Sequence, residues 1–161
     1  MTGQQENAGL TMSLMHAALA AGTTSTVSTT GTTHYAIRGL TYTKAALTNA
    51  ATPTVDIVDG LAFTPLIANQ ATVFVLGYDA GGNLRAGQGS IEPVDSGGNI
   101  VRAPQWPNMP DTVCPIGYII AKAISTLVGT WTFGTNNLSS VTGMSWTFRS
   151  VSTLPDRPQI A

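Results

Sequence analysis

The sequence predicts an all-β, mainly-β fold: a single β-sandwich or barrel-like domain of about eight short antiparallel strands, with a short helix near the N-terminus. Three observations lead there. Apolar and polar residues alternate in short runs, as at Met144, Trp146 and Phe148, which is the period of a half-buried strand. Thr dominates stretches such as 23–33, and β-branched side chains favour extended backbone. Gly, Asn, Asp and Pro recur at close intervals and mark turns. At 161 residues the chain can bury one core, and no shift in composition divides it.

Taken in order, residues 1–9 are polar and are expected to form a flexible N-terminal arm that orders on contact with a partner. Residues 10–161 are expected to be the single β-rich domain. Leu10 to Ala21 is rich in helix formers, with Leu10, Leu14 and Ala18 at helical spacing and Thr11 as a cap, so a short helix is expected there. Tyr35 and Ile37, then Leu40 and Tyr42, alternate on either side of Arg38-Gly39, which reads as a hairpin. Pro53 and Pro65 make 51–70 a loop with short extended pieces.

Ala71 to Tyr78 is the strongest strand. Its unbroken run Val73-Phe74-Val75-Leu76 predicts burial on both faces. It ends in Asp79-Ala80-Gly81-Gly82-Asn83, and the same D-x-G-G-N pattern returns at Asp95 to Asn99, predicting two successive hairpins of a meander. Pro104, Pro107, Pro110 and Pro115 make 102–115 a long structured loop. Ile116 to Ile124 is read as a strand. Thr130 to Phe133 and Met144 to Arg149 are read as a closing hairpin with aromatic cross-strand pairs, and Pro155 and Pro158 end it.

Charged residues make up only 9% of the chain, where about 25% is usual. A surface built from Thr, Ser, Asn, Gln and Gly suits a protein held in an assembly. The net charge of −1 gives no basic field for nucleic acid, so no nucleic-acid partner is expected. The apolar stretch 10–21 is too short and too polar to span a bilayer. No cationic segment precedes it, so neither a membrane partner nor a signal peptide is expected. The single cysteine, Cys114, permits no internal disulfide.

The chemistry-bearing residues form no recognisable constellation, and no catalytic residue, metal ligand or cofactor site is assigned. His16 and His34 are far apart in sequence. Gly87-Gln88-Gly89-Ser90-Ile91 falls one glycine short of a nucleophile elbow. Gly82 to Gln88 lacks the lysine of a phosphate loop. Each D-x-G-G-N turn supplies one carboxylate, Asp79 or Asp95, too few for calcium. Nothing in the spacing of Asp56, Asp59, Glu92, Asp95, Asp111 and Asp156 favours a catalytic acid pair. Cys114 reads as a buried structural thiol, and Asn137-Leu138-Ser139 as an ordinary loop. Trp131 and Trp146 read as core, and Trp106 on its Pro-rich loop as an exposed anchor.

Three segments resemble a recurring type of small tailed-bacteriophage virion protein. Tyr35 to Ala45 is similar to its hairpin Y-x-I-(D/N)-G-x-x-Y-x-K-A, with Arg38 at the acidic or amide position. Phe74 to Asn83, continuing to Gln88-Gly89, is similar to F-V-x-x-x-D-A-x-G followed by Q-G. Cys114 to Ile119 resembles a P-I-G-Y strand, and Leu154 to Pro158 an L-P-D-R-P close. The resemblance runs from the mid-thirties to the end of the chain. It implies a virion structural protein without catalytic residues: a head decoration (cement) protein on the capsid exterior, made in the host bacterial cytoplasm. Its expected partners are the major capsid protein and other copies of itself, as a homo-oligomer. The alternatives are a tail, baseplate or fibre-associated virion protein, or a carbohydrate-binding β-module built on Trp106.

Overall fold

The structure, a computed structural model, describes residues 9–160. Its strands are β1 (Met12–Ser13), β2 (Ala20–Ala21), β3 (Thr26–Ser28), β4 (Thr33–Ile37), β5 (Leu40–Lys44), β6 (Ala50–Ala51), β7 (Gln70–Asp79), β8 (Leu84–Gln88), β9 (Glu92–Pro93), β10 (Val113–Ala123) and β11 (Met144–Ser150). No helix occurs among the described residues. The fold is the expected all-β, sandwich-like domain, built of three antiparallel sheets.

The largest sheet runs β11-β10-β7-β8, and β9 pairs with β7 beside β8. Its centre is the β7–β10 pair, where Phe74 faces Ile119 and Val73 faces Ile120. The run 73–76 is wholly buried, as its unbroken apolar character predicts. One face carries Phe74, Leu76, Tyr78, Ile119 and Ala121 into the main core, where Tyr35, Val27, Leu66, Trp131 and Phe133 meet them. The other face carries Val73, Val75, Tyr118 and Ile120, covered by Ile100, Trp106, Met109, Val151 and Leu154. The Pro-rich loop and the C-terminal segment thus roof the second face.

The two small sheets, β1-β4-β5 and β2-β3-β6, supply the opposing layer. Ile37 pairs with Leu40, leaving Arg38-Gly39 as a two-residue turn with positive φ at both positions, 49° and 80°. That is the turn whose twist suits a hairpin. Arg38 pays a steric cost that Asn or Gly would avoid. It is braced by its N–H donating to Thr11 Oγ1 at 3.0 Å and by its guanidinium on Asp111 at 2.6 Å.

Three expectations are corrected. Residues 10–21 are not helical: β1 pairs with β4, β2 pairs with β3, and Ala18 has φ 48°. The buried residues there are Ser13, Ala17 and Leu19, whereas Leu10 and Leu14 of the supposed apolar stripe are exposed. Pairing with sheet edges outweighs a weak local preference. The closing hairpin is also absent. Trp131 bridges Leu66, and β11 instead joins β10 along seven paired positions. Alternation reports which side chains are buried and says nothing of the partner strand. Finally, β10 starts inside the predicted loop and takes in Pro115, which a register shift between Pro115 and Gly117 accommodates.

The arm assigned to residues 1–9 lies outside the described residues except for Gly9. Gly9 sits so close against the Arg38-Gly39 turn that a Cβ would overlap the Arg38 carbonyl, so it belongs to the domain.

The bulge constrains its neighbour. A Cβ on Gly77 would come 2.4 Å from the Cys114 carbonyl oxygen. Gly77→Ala should therefore destabilise the protein by about 1–3 kcal/mol, read as a lower urea midpoint. An unchanged midpoint would mean that the bulge yields freely.

Candidate functional site

The D-x-G-G-N turns fold alike. Asp79 N–H donates to Asn83 O at 3.1 Å and Gly82 N–H to Asp79 O at 2.9 Å; Asp95 N–H donates to Asn99 O at 2.9 Å and Gly98 N–H to Asp95 O at 3.0 Å. Each carboxylate turns back on its own loop. Asp79 Oδ1 accepts from the N–H groups of Gly81 and Asn83, both at 2.9 Å, and Asp95 Oδ1 accepts from Asn99 N–H at 2.8 Å. The Asn83 and Asn99 side-chain amides close the same carboxylates. Arg85 adds a pair to Asp79 at 2.9 Å. Turn amides and a guanidinium occupy the oxygens that would face a cation.

Asp56, Asp59 and Glu92 are similarly engaged. Asp56 is buried; it accepts from Val58 N–H at 2.8 Å and Gln88 N–H at 2.9 Å. Asp59 accepts from Leu61 N–H. Glu92, also buried, accepts from the Ser90 hydroxyl and pairs with Arg102, both at 2.8 Å. Ser90 Oγ in turn accepts from Gln105 N–H at 2.8 Å. The near-elbow at 87–91 therefore fastens β8 to the Pro-rich loop. Among these carboxylates Asp56 has the structural role hardest to see in sequence. Its signal was D-x-V, an Asx turn in which the side chain accepts from the amide two residues on.

His16 and His34 are both exposed and lie on different elements. A groove of about 700 Å³ beside the first turn is lined by Tyr42, Lys44, Leu47 and Ala80 among others, with no acid, imidazole or thiol. A second, of about 540 Å³, brings His16 near Arg149, Ser150 and Ser152, again with no acid in its wall. Among the described residues no cluster of His, Cys, Asp or Glu could hold a metal ion.

Trp131 is buried and donates its Nε1–H to Asn137 O at 2.8 Å, and half-buried Trp146 packs on it at 6.0 Å between rings. Trp106 is not an exposed anchor. Its ring meets Tyr118 edge-on at 5.0 Å, and its Nε1–H donates to Pro155 O at 2.8 Å. The loop uses it to hold the C-terminal segment.

Burial pushes the Cys114 thiol up to about 12, against a smaller opposing effect of the Ala36 backbone. Burial likewise raises the Tyr78 phenol, opposed by the nearby Thr29 and Thr33 hydroxyls. Tyr78 OH and Thr33 Oγ1 nonetheless make no well-formed hydrogen bond. Several large apolar side chains are exposed. Val55, Val58 and Leu61 cluster on one loop, and Leu10 lies beside the tip of the β4–β5 hairpin with Leu40. No family model matches the chain, and no curated protein or solved structure matches it.

Three outcomes test these assignments. Cys114 should resist iodoacetamide near pH 8 in the folded protein and react on unfolding, followed by mass spectrometry; rapid labelling without unfolding would contradict the burial. Asp56→Ala, which strands two amides, should cost about 1–3 kcal/mol in urea unfolding. Acid stability has a defined sign. Burial raises the Asp79 carboxyl, but Asn83 and Arg85 outweigh it and hold it below 3.8. Bonds from Ser90 and Arg102 hold Glu92 below 4.5, bonds from Asn99 hold Asp95 below 3.8, and Arg38 does the same for Asp111. Depressed folded-state values stabilise above the unfolded values and lose that contribution as pH falls through the folded ones. The thermal midpoint should thus be level above about pH 5 and fall steadily below it, less steeply in Asp79→Asn.

Proposed function

We propose that the protein is a non-catalytic structural component of a tailed-phage virion, acting as a head decoration protein. It would bind the capsid exterior and other copies of itself and resist outward pressure by burying surface across subunit junctions. Interfaces of this kind bury about 1,200–2,000 Å², and repetition by symmetry multiplies weak contacts.

What carries the reading is that the segments resembling such proteins, remote in sequence, form one unit in space. Tyr35 of the first donates its hydroxyl to Asp79 O of the second at 2.9 Å. Tyr78 of the second pairs with Cys114 of the third. The L-P-D-R-P close receives the Trp106 indole at Pro155. The resemblance therefore falls on residues that set the architecture together. The surface is of the same character: few ions, many hydroxyls and exposed apolar side chains such as Leu61 and Val128, which favour lasting contact over free diffusion. The carbohydrate-binding alternative loses its anchor, since Trp106 is committed to the fold.

In particles purified from the phage that encodes the chain, quantitative mass spectrometry should find it among the most abundant proteins, with labelled antibody on heads. Labelling confined to tails would replace the decoration reading with the tail one. Absence from particles would end both.

A further inference from the structure

The two edges of the large sheet are treated differently. At the β8 edge, Ile57 N–H donates to Ala86 O at 2.9 Å and Gln88 N–H donates to the Asp56 carboxylate at 2.9 Å. The Gln88 side chain also exchanges bonds with Thr64 main chain at 2.8 and 3.0 Å. The 53–64 loop therefore stoppers that edge.

Along β11 the described residues give the main chain no such cover; a contact comes at the strand's end, where Leu19 N–H donates to the Ser150 hydroxyl at 2.8 Å. Antiparallel pairs alternate between bonded and non-bonded positions. Ile124 N–H donates to Gly143 O at 2.9 Å and Val151 N–H to Ile116 O at 3.1 Å, and both pairs extend the β10–β11 register. Counting by twos from either end, Ser145, Thr147 and Arg149 direct their main-chain groups at β10. Met144, Trp146, Phe148 and Ser150 direct theirs outward. Met144 N–H accordingly turns back to Val141 O at 3.1 Å. The main-chain N–H and C=O groups of Trp146 and Phe148 meet no partner among the described residues. The strand holds no proline or bulge and one charge, Arg149 near its end, where edges are ordinarily protected by such devices.

We propose that this edge pairs with the same strand of a second copy, antiparallel about a two-fold axis through Thr147, so that two large sheets become one. The strand is self-complementary in that register. Trp146 lies opposite Phe148 of the second copy, and these are the residues with outward main-chain groups, so each such pair exchanges both of its N–H···O=C bonds. The axis repeats the pair. Trp146 and Phe148 are half-buried on the core-facing side, and joining them gives cross-strand aromatic contact. The charge is compatible: Arg149, the only ion on the strand, falls opposite Ser145 and not opposite another Arg149. A two-fold contact of one patch with itself closes on a dimer and leaves no edge to propagate. The inference goes beyond the virion reading and does not rest on it.

Sedimentation of the full chain over a concentration series tests it. The native protein should dimerise, and hydrogen exchange at the Trp146 and Phe148 amides should slow as dimer forms. Thr147 is exposed, so its substitution spares the fold, which circular dichroism checks. Thr147→Lys sets two lysines facing each other across the axis, their Cα atoms about 4.5 Å apart, and should raise the dimer dissociation constant at least about tenfold. Mixing Thr147→Lys with Thr147→Glu should restore association as a mixed dimer. A native protein that stays monomeric would overturn the proposal. So would a dimer indifferent to Thr147→Lys, or a mixture no tighter than Thr147→Lys alone. Particle composition, which tests the virion reading, is a separate measurement, so either can fail without the other.

Discussion

The β7–β10 pair is the constraint from which the rest follows. Val73 to Leu76 and Ile119 to Ala121 are buried to both sides, so this pair needs two covers, whereas a sheet of ordinary alternation needs one. The two small sheets and the 124–138 segment, bearing Leu127, Trp131, Phe133 and Leu138, form the first. The Pro-rich loop and the C-terminal segment form the second, joined where Trp106 meets Tyr118 and Pro155. Prolines that cannot extend a ladder are well suited to a lid, which needs shape and low unfolded-state entropy more than paired amides.

Covering a sheet with loops raises a second problem, because loops carry main-chain groups that must be satisfied. The chain's few carboxylates do this. Asp56, Asp79, Glu92 and Asp95 each accept amide or hydroxyl bonds that pin a turn or join a loop to a strand. In a protein with so few ions, these four acids are committed to bracing its loops. Low charge and a poverty of clustered titratable groups are thus one property seen twice. A further exposed pair, Arg38–Asp111, braces a hairpin tip whose Arg38 holds a positive φ.

The sequence revealed what depends on short range. The Arg38-Gly39 hairpin, the two D-x-G-G-N turns, the doubly buried run 73–76 and the buried Cys114 each follow from a few adjacent residues and their sterics. What it hid depends on partners. Met144, Trp146 and Phe148 declared one buried face, yet nothing in them distinguishes β10 from 130–133 as the neighbouring strand. Leu10 to Ala21 reads as helix on local preference, and only the presence of β4 and β3 as pairing edges makes it extended. Trp106 was misread for the same reason. A tryptophan on a loop is exposed unless something distant reaches it, and Pro155 lies 49 positions away.

The uneven treatment of the sheet edges connects these points. The fold can stopper an edge with a single charge, because the 53–64 loop does so at β8 with one buried aspartate and one glutamine side chain. The means to shield β11 were therefore within the chain's chemistry. Main-chain pairing supplies directional bonds at a fixed spacing, so it gives register and orientation where ionic complementarity is scarce. A surface of hydroxyls and small apolar groups adheres readily but discriminates poorly. A strand edge whose outward residues are Trp146 and Phe148 restores discrimination, because only a partner in one register both satisfies those amides and stacks those rings.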